Sequence, residues 1–173
     1  MQELLFRCST VDDVDAMRSF LKVHGSNEWN YLPEEGVTKE LGEVVEGKAV
    51  ALIAELDNQM VGFAILYPRF NRFPEYTGSD ISIEKTGYIG DVVVHRKYAG
   101  KGIGTKLMDE AKVTMLKCGV SEIYIDCHEE NAASRGMARK ARFKEVSLYF
   151  DPTRRSVGSC RTWVGLFSST NSV

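Results

Sequence analysis

The chain has 173 residues, 43% of them hydrophobic, with a formal net charge of −2 and a pI near 6.0. That length suits one domain, residues 1–173, with a sizeable core. Mild acidity argues against a basic nucleic-acid or membrane-surface footprint, and no apolar run approaches the ~18 residues of a membrane span.

The N-terminus, Met1 to Arg7, has no basic segment followed by a long apolar one, so no secretory signal is expected. Leu4 to Cys8 suits a short strand. Ser9 or Thr10 then caps a helix reaching about Val23, with Asp12 and Asp13 placed to suit its dipole. Val11, Val14, Met17, Phe20 and Leu21 recur at spacings of three and four and mark its buried face. His24 to Pro33 is irregular and aromatic. Glu34 to Glu46 forms a second helix with Val37, Leu41, Val44 and Val45 as its stripe. Ala49 to Leu56 and Met60 to Tyr67 read as a hairpin turning at Asp57-Asn58-Gln59. Pro68 to Thr86 is long for a loop, which marks it as functional or mobile, with Asp80 to Lys85 pairing as an edge. Gly87 to His95 is a strand whose Val92-Val93-Val94 run implies burial on both faces.

The stretch Ala99-Gly100-Lys101-Gly102-Ile103-Gly104-Thr105 follows. Glycines let backbone N–H groups approach an anion closely, and a helix opening at Gly104 aims its free N–H groups at the same place. Ile103, Leu107, Ala111, Met115 and Leu116 give that helix its core stripe, ending near Gly119. Glu122 to Cys127 is a strand. Asn131 or Ser134 opens a helix through Arg142, with Met137, Ala138 and Ala141 on its apolar face. Phe143 to Asp151 and Cys160 to Phe167 are the last strands, with a turn between Pro152 and Gly158 and a frayed tail from Ser168. The order β-α-α-β-β-β-α-β-α-β-β is an α/β or α+β domain with a mixed sheet. Cys8, Cys118, Cys127 and Cys160 lack CxxC spacing and read as reduced thiols of a cytoplasmic protein.

Strand, glycine loop and helix N-terminus make a phosphate site. A P-loop would need a GxxxxGK[ST] spacing that is absent, and a dinucleotide fingerprint would need glycine where Thr105 stands. The run from Gly87 to Met108 resembles the strand, loop and helix of the GNAT superfamily of acetyl-coenzyme A-dependent N-acetyltransferases, with its Gln/Arg-x-x-Gly-x-Gly/Ala loop. Asn131-x-x-Ser134 followed by Phe143 resembles that family's second signature. The likeness covers nearly the whole chain. It implies a mostly antiparallel sheet of six to seven strands flanked by about four helices, with a V-shaped splay holding the cofactor. By the same resemblance, the backbone of Val92, Val93 and Val94 pairs with the pantetheine arm and offers the oxyanion an N–H. Ala99, Gly100, Lys101, Gly102, Ile103, Gly104 and Thr105 form the pyrophosphate loop, and Asn131 and Ser134 hold the cofactor. The expected co-substrate is acetyl-coenzyme A, with no metal.

Three departures stand out. Ala99 occupies the Gln/Arg position, Arg142 replaces the glycine before Phe143, and Ala138 stands where many members carry the tyrosine that protonates the leaving thiolate.

Acetyl transfer needs a neutral amine. Freeing a lysine amine of pKa ~10.4 at pH 7 costs about 4–5 kcal/mol, and an α-amine much less, so a carboxylate base is expected. Asp91, just before Val92, and Asp126, five before Asn131 where some members carry a glutamate base, are the candidates. For the general acid, Tyr149, Tyr124, Cys127 and His128 are in place, His128 reading as a solvated residue of a polar turn. Trp29, Tyr31, Phe70, Phe73 and Tyr76 fall in the loops where the family builds its acceptor site, whereas Arg154, Arg155 and Arg161 read as a local basic patch of a polar hairpin.

The expected function is N-acetyl transfer to a primary amine of a small molecule or peptide, directly in a ternary complex. A non-catalytic acyl-coenzyme A-binding module is the alternative, and a dinucleotide-binding domain the distant one. No nucleic-acid or membrane partner is expected, and a homodimer is left open.

Overall fold

Seven strands form one sheet in the order β1-β2-β3-β4-β5-β7-β6. The structure is a computed structural model and describes residues 3–171. Met1 and Gln2 of the N-terminal reading, and Ser172 and Val173 of the tail, lie outside the described residues. The strands are β1 (Leu4–Cys8), β2 (Val50–Leu56), β3 (Gln59–Tyr67), β4 (Thr86–Val94), β5 (Glu122–His128), β6 (Lys144–Phe150) and β7 (Arg161–Ser168). The α-helices are α1 (Val14–Phe20), α2 (Glu34–Val45), α3 (Ile103–Lys117) and α4 (Ala132–Lys140). Every neighbouring pair is antiparallel except β4 and β5, which α3 connects as a parallel crossover. Among the described residues no helix is long and apolar enough to cross a membrane.

The sheet is covered on both faces. On one, Leu107, Met108, Ala111 and Met115 of α3 and Ala138 of α4 pack on Leu52, Leu66, Ile89 and Trp163. On the other, Met17, Leu21 and Leu41 pack on Ile53, Phe63 and Ile65. Val93 joins the second cluster, and Val92 and Val94 pack against the first, so the apolar run does face covered space on both sides.

The first expected helix is instead three pieces: a 3₁₀ turn (Val11–Asp13), α1, and a π turn (Leu21–Gly25). Asp13 accepts from the Thr10 backbone N–H at 2.7 Å and from Arg7 at 2.8 and 2.9 Å, which ties the start to β1. The tighter and wider turns break the 3.6-residue period, so Val11 is 69% exposed rather than buried. Leu116 is likewise exposed, at the edge of the α3 stripe. No strand forms over 80–85; Ile83–Lys85 is a 3₁₀ turn.

Candidate active site

Where β4 meets β3, Ala64 faces Val92 but Leu66 faces Ile89, so β4 carries an extra residue at Gly90–Asp91. Such a bulge bends and twists the strand. It coincides with a split in the sheet. β4 and β5 pair from Thr86↔Glu122 to Ile89↔Ile125 and then part. β4 continues along β3 to Val94↔Gly62, while β5 follows β7 to His128↔Thr162. Gly90 to Val94 thus present an unpaired strand edge to the split, and one cavity of about 750 Å³ fills it. Val92, Val93, Val94, Asp91, Asp126, Ala99, Asn131 and Ser134 all line that cavity.

Ala99 lines the cavity, and the rest of the glycine loop, Gly100 to Thr105, follows it outside the lining. Gly100 and Gly102 have φ of +76° and +82°, a left-handed conformation that glycine adopts without the strain of a side chain. Gly102 is the N-cap of α3, and the first in-helix bond runs from Lys106 N–H to Gly102 carbonyl at 3.1 Å. The N–H groups of Ile103, Gly104 and Thr105 are therefore the helix's orphan donors. Lys101 differs: its N–H donates to the Tyr98 carbonyl at 3.2 Å, and its ammonium sits 5.1 Å over the Tyr98 ring. A Cβ added at Gly104 would run into Met137 Sδ, so that glycine lets α3 and α4 close together. Asn131 caps α4, its Oδ1 accepting from Ser134 N–H at 3.1 Å, which leaves its amide donors for the cavity. Ala138 is buried at the cavity wall and brings no hydroxyl.

At the other end is a carboxyl cluster that sequence alone does not reveal. Glu40 and Glu43 reach from α2 toward Asp91, and the Tyr67 hydroxyl donates to Glu43 Oε2 at 2.9 Å and to Glu40 Oε1 at 3.5 Å. Burial, then the Asp91 charge and a hydrogen bond to Asp91, push the Glu40 carboxyl up to about 9. It is neutral at pH 7 and donates to Asp91. Burial and the charges of Glu40 and Glu43 likewise raise the Tyr67 phenol well above the ordinary tyrosine range. A Cβ at Gly90 would lie 3.0 Å from Glu40 Oε1 and 3.2 Å from Tyr67 Cε2, so glycine is what admits both. A glycine inside a strand beside Asp91 is the one sequence signal of that close approach.

Asp126 lies across the split, 5% exposed. Its Oδ2 accepts from Arg154 Nη2 at 2.8 Å and from the Tyr76 hydroxyl, and its Oδ1 accepts from Arg155 Nη2 at 2.9 Å and Tyr88 OH at 3.2 Å. Arg154 and Arg155 thus belong to the cavity wall and not to a surface hairpin. Tyr149 does not line the cavity; its hydroxyl lies 3.5 Å from Arg154 Nη1.

The remaining acid candidates are also placed. His128 is buried, not solvated: Glu130 N–H donates to Nδ1 at 3.0 Å, so Nε2 carries the proton and donates to Val157 carbonyl at 2.7 Å. Tyr124 donates away from the cavity, to the Thr77 carbonyl at 3.2 Å. Burial, then Asp126, pushes the Cys127 thiol up to about 12. Of the aromatic residues, Trp29, Phe70 and Phe73 line the cavity, Tyr76 is buried behind it, and Tyr31 is 85% exposed on a second cleft lined by Glu40 and Asp91.

Residues 15–143 match the model of the acetyltransferase (GNAT) family. The chain belongs to the GNAT family of acetyltransferases. The fold agrees: the ribosomal-protein-S18-alanine N-acetyltransferase of Escherichia coli superposes with a TM-score of 0.73 at 14% identity, covering 96% of this chain and 94% of that one. The protein yncA of Salmonella typhimurium, solved with its cofactor acetyl-CoA, gives a TM-score of 0.74 at 16% identity over 99% and 96% of the two chains. Glucosamine 6-phosphate N-acetyltransferase 1 of Dictyostelium discoideum is 36% identical over 47 residues, 27% of this GNAT chain and 30% of that relative's length.

Proposed function

We propose that this chain transfers the acetyl group of acetyl-coenzyme A directly to a primary amine, with Asp91 and Glu40 as the proton-accepting pair. The observation that carries the reading is one cavity that runs along the open β4 edge, from the carboxyl pair Glu40 and Asp91 past Val92–Val94 to Ala99, the residue that leads into the glycine loop and the N-terminus of α3. The residues present fit the co-substrate. The orphan N–H groups of Ile103, Gly104 and Thr105, with Gly102 held at φ +82°, suit a pyrophosphate. The open edge of β4 suits an extended amide-bearing arm, and the Asn131 amide suits its carbonyl. When bound, acetyl-coenzyme A supplies an activated acetyl thioester.

The chain's own residues hold and move the proton. An amine enters as an ammonium ion, which the carboxyl cluster of Asp91, Glu40 and Glu43 attracts. Asp91, hydrogen-bonded to the raised Glu40 carboxyl, takes the proton from the nitrogen. N–H groups along the Val92–Val94 edge suit a developing oxyanion. Asp126, with both oxygens occupied by four donors, fits the role of holding Arg154 and Arg155, and Tyr149 fits that of steadying Arg154. A thiol of pKa ~8.5 leaves readily as thiolate, so Ala138 is compatible with transfer. The acceptors in the names of the two relatives, a protein alanine and glucosamine 6-phosphate, are primary amines and agree with this class.

The test is thiol release from acetyl-coenzyme A across a panel of amines. Wild type releases coenzyme A in proportion to acetylated amine, and Asp91→Asn lowers kcat by about 10²-fold or more while coenzyme A still binds. Failure of every amine to release coenzyme A would leave a binding module; an unchanged kcat and pH profile in Asp91→Asn would remove Asp91 from the pair.

A further inference from the structure

We propose that the acceptor amine carries a second, anionic group, a carboxylate or a phosphate, and that Arg154 receives it. The inference rests on the acetyl-transfer reading above and names what kind of amine the cavity takes.

The cavity has two poles. Carboxyls of Glu40 and Asp91 mark one, on α2 and on the β4 side of the split; the guanidinium of Arg154 marks the other, on the β5 side. Between them runs an aromatic wall, with Phe70 stacked on Tyr88 at 4.6 Å between ring centroids. A ligand whose amine faces the carboxyls extends along that wall toward the arginine.

The two arginines of the β6–β7 connection differ in a way that matters. Arg155 is 11% exposed, with Nε donating to Thr162 Oγ1 and Nη2 to Asp126, both at 2.9 Å. Arg154 keeps 34% of its side chain exposed. Its Nη2 is anchored on Asp126 at 2.8 Å, and its guanidinium lies 5.4 Å from the Phe73 ring centroid. Its Nη1 makes only long contacts, 3.3 Å to Tyr76 OH, 3.5 Å to Tyr149 OH and 3.6 Å to Asp151 Oδ2. Asp151 itself accepts from the Thr162 hydroxyl at 2.8 Å.

Arg154 is thus a cation anchored closely by Asp126 and one ring and only loosely by Asp151, with its Nη1 limited to long contacts at the cavity surface. That is a preorganised fork for an incoming oxyanion, which arginine binds in a planar, two-bond geometry. Asp126 cannot also serve a ligand's cation, since all its acceptor directions already meet donors. The rim therefore discriminates by sign: ammonium toward α2, anion toward Arg154.

The experiment compares three acceptor pairs that differ in the anion: glucosamine 6-phosphate against glucosamine, 6-aminohexanoate against its amide, and phenylalanine against its amide. The readout is kcat/KM by coenzyme A release. Wild type should prefer the anionic member of at least one pair by about tenfold or more, the scale of a charge-assisted hydrogen bond. The phosphate and carboxylate arms identify the anion, and the two carboxylate pairs differ in its distance from the amine. Arg154→Gln should bring the ratio toward one, chiefly through KM, and Arg154→Lys should restore part of it. Retained coenzyme A affinity and far-UV circular dichroism show that the variants are folded. Equal turnover within every pair, or a preference that survives in Arg154→Gln, overturns the anion site and leaves acetyl transfer standing. Absence of release with any amine overturns both.

Discussion

Substituting Glu40 by glutamine removes one titration and little else. The wild-type carboxyl is raised from 4.5 to about 9 by burial, by the Asp91 charge and by their hydrogen bond. A carboxyl raised on folding contributes stability fully below its unfolded pKa, and that contribution is lost as pH rises through the window up to the folded value. Between pH 4.5 and 9 the unfolded chain sheds the proton while the folded chain keeps it. At 1.36 kcal/mol for each tenfold change in proton affinity, the loss across the window is at most about 6 kcal/mol, a large fraction of an ordinary domain's stability. Glutamine has nearly the same volume and still offers an N–H to Asp91, so Glu40→Gln keeps the contact and discards the pH dependence. Urea unfolding of both proteins at pH 5, 7 and 9 reads the effect as the difference between the two curves. The curves should nearly meet at pH 5 and diverge steadily to pH 9, with the variant more stable. A constant separation across that range would show that Glu40 is ionised in the folded protein and that the pair holds no shared proton.

Two further outcomes follow from the cavity. Gly102→Val places a β-branched residue at φ +82°, at a cost of about 1–3 kcal/mol, and distorts the donor end; coenzyme A affinity by calorimetry should fall at least 10-fold, and wild-type affinity would exclude the cradle. Asp126→Asn leaves Arg154 and Arg155 without their shared countercharge, so chemical denaturation should show a loss of about 3–5 kcal/mol; a change below ~0.5 kcal/mol would mean that the arginines find other partners.

The parts of the molecule legible in the sequence are those built on backbone geometry. Gly100, Gly102 and Asn131 announce their turns and caps through residue type, and the alternation and apolar runs announce all seven strands. The carboxyl pair was hidden because Glu40 and Asp91 lie 51 positions apart and meet only when α2 packs across β4. A glutamate on a helix with a clean apolar stripe looks solvated until its neighbour is known. Arg154 and Arg155 were hidden for the same reason: beside Pro152 and Gly158 they look like turn decoration, and only the register of β5 on β7 brings Asp126 to them. His128 was misjudged because its turn is polar, yet the connection through Val157 folds over it and buries it. The broken first helix escaped periodicity because a π turn shifts phase without changing composition.

The parting of β4 from β5 gives this sheet four borders where an ordinary open sheet has two. The outer pair, β1 and β6, face solvent like any others. The inner pair, β4 beyond Ile89 and β5 beyond Ile125, face the cavity and leave a row of N–H and C=O groups outside the ladder. The leaves β1–β4 and β5–β7 meet along only four residue pairs. An extended ligand lying in the gap therefore acts as a missing strand, bridging two half-sheets. Melting temperature should climb with its concentration as mass action requires.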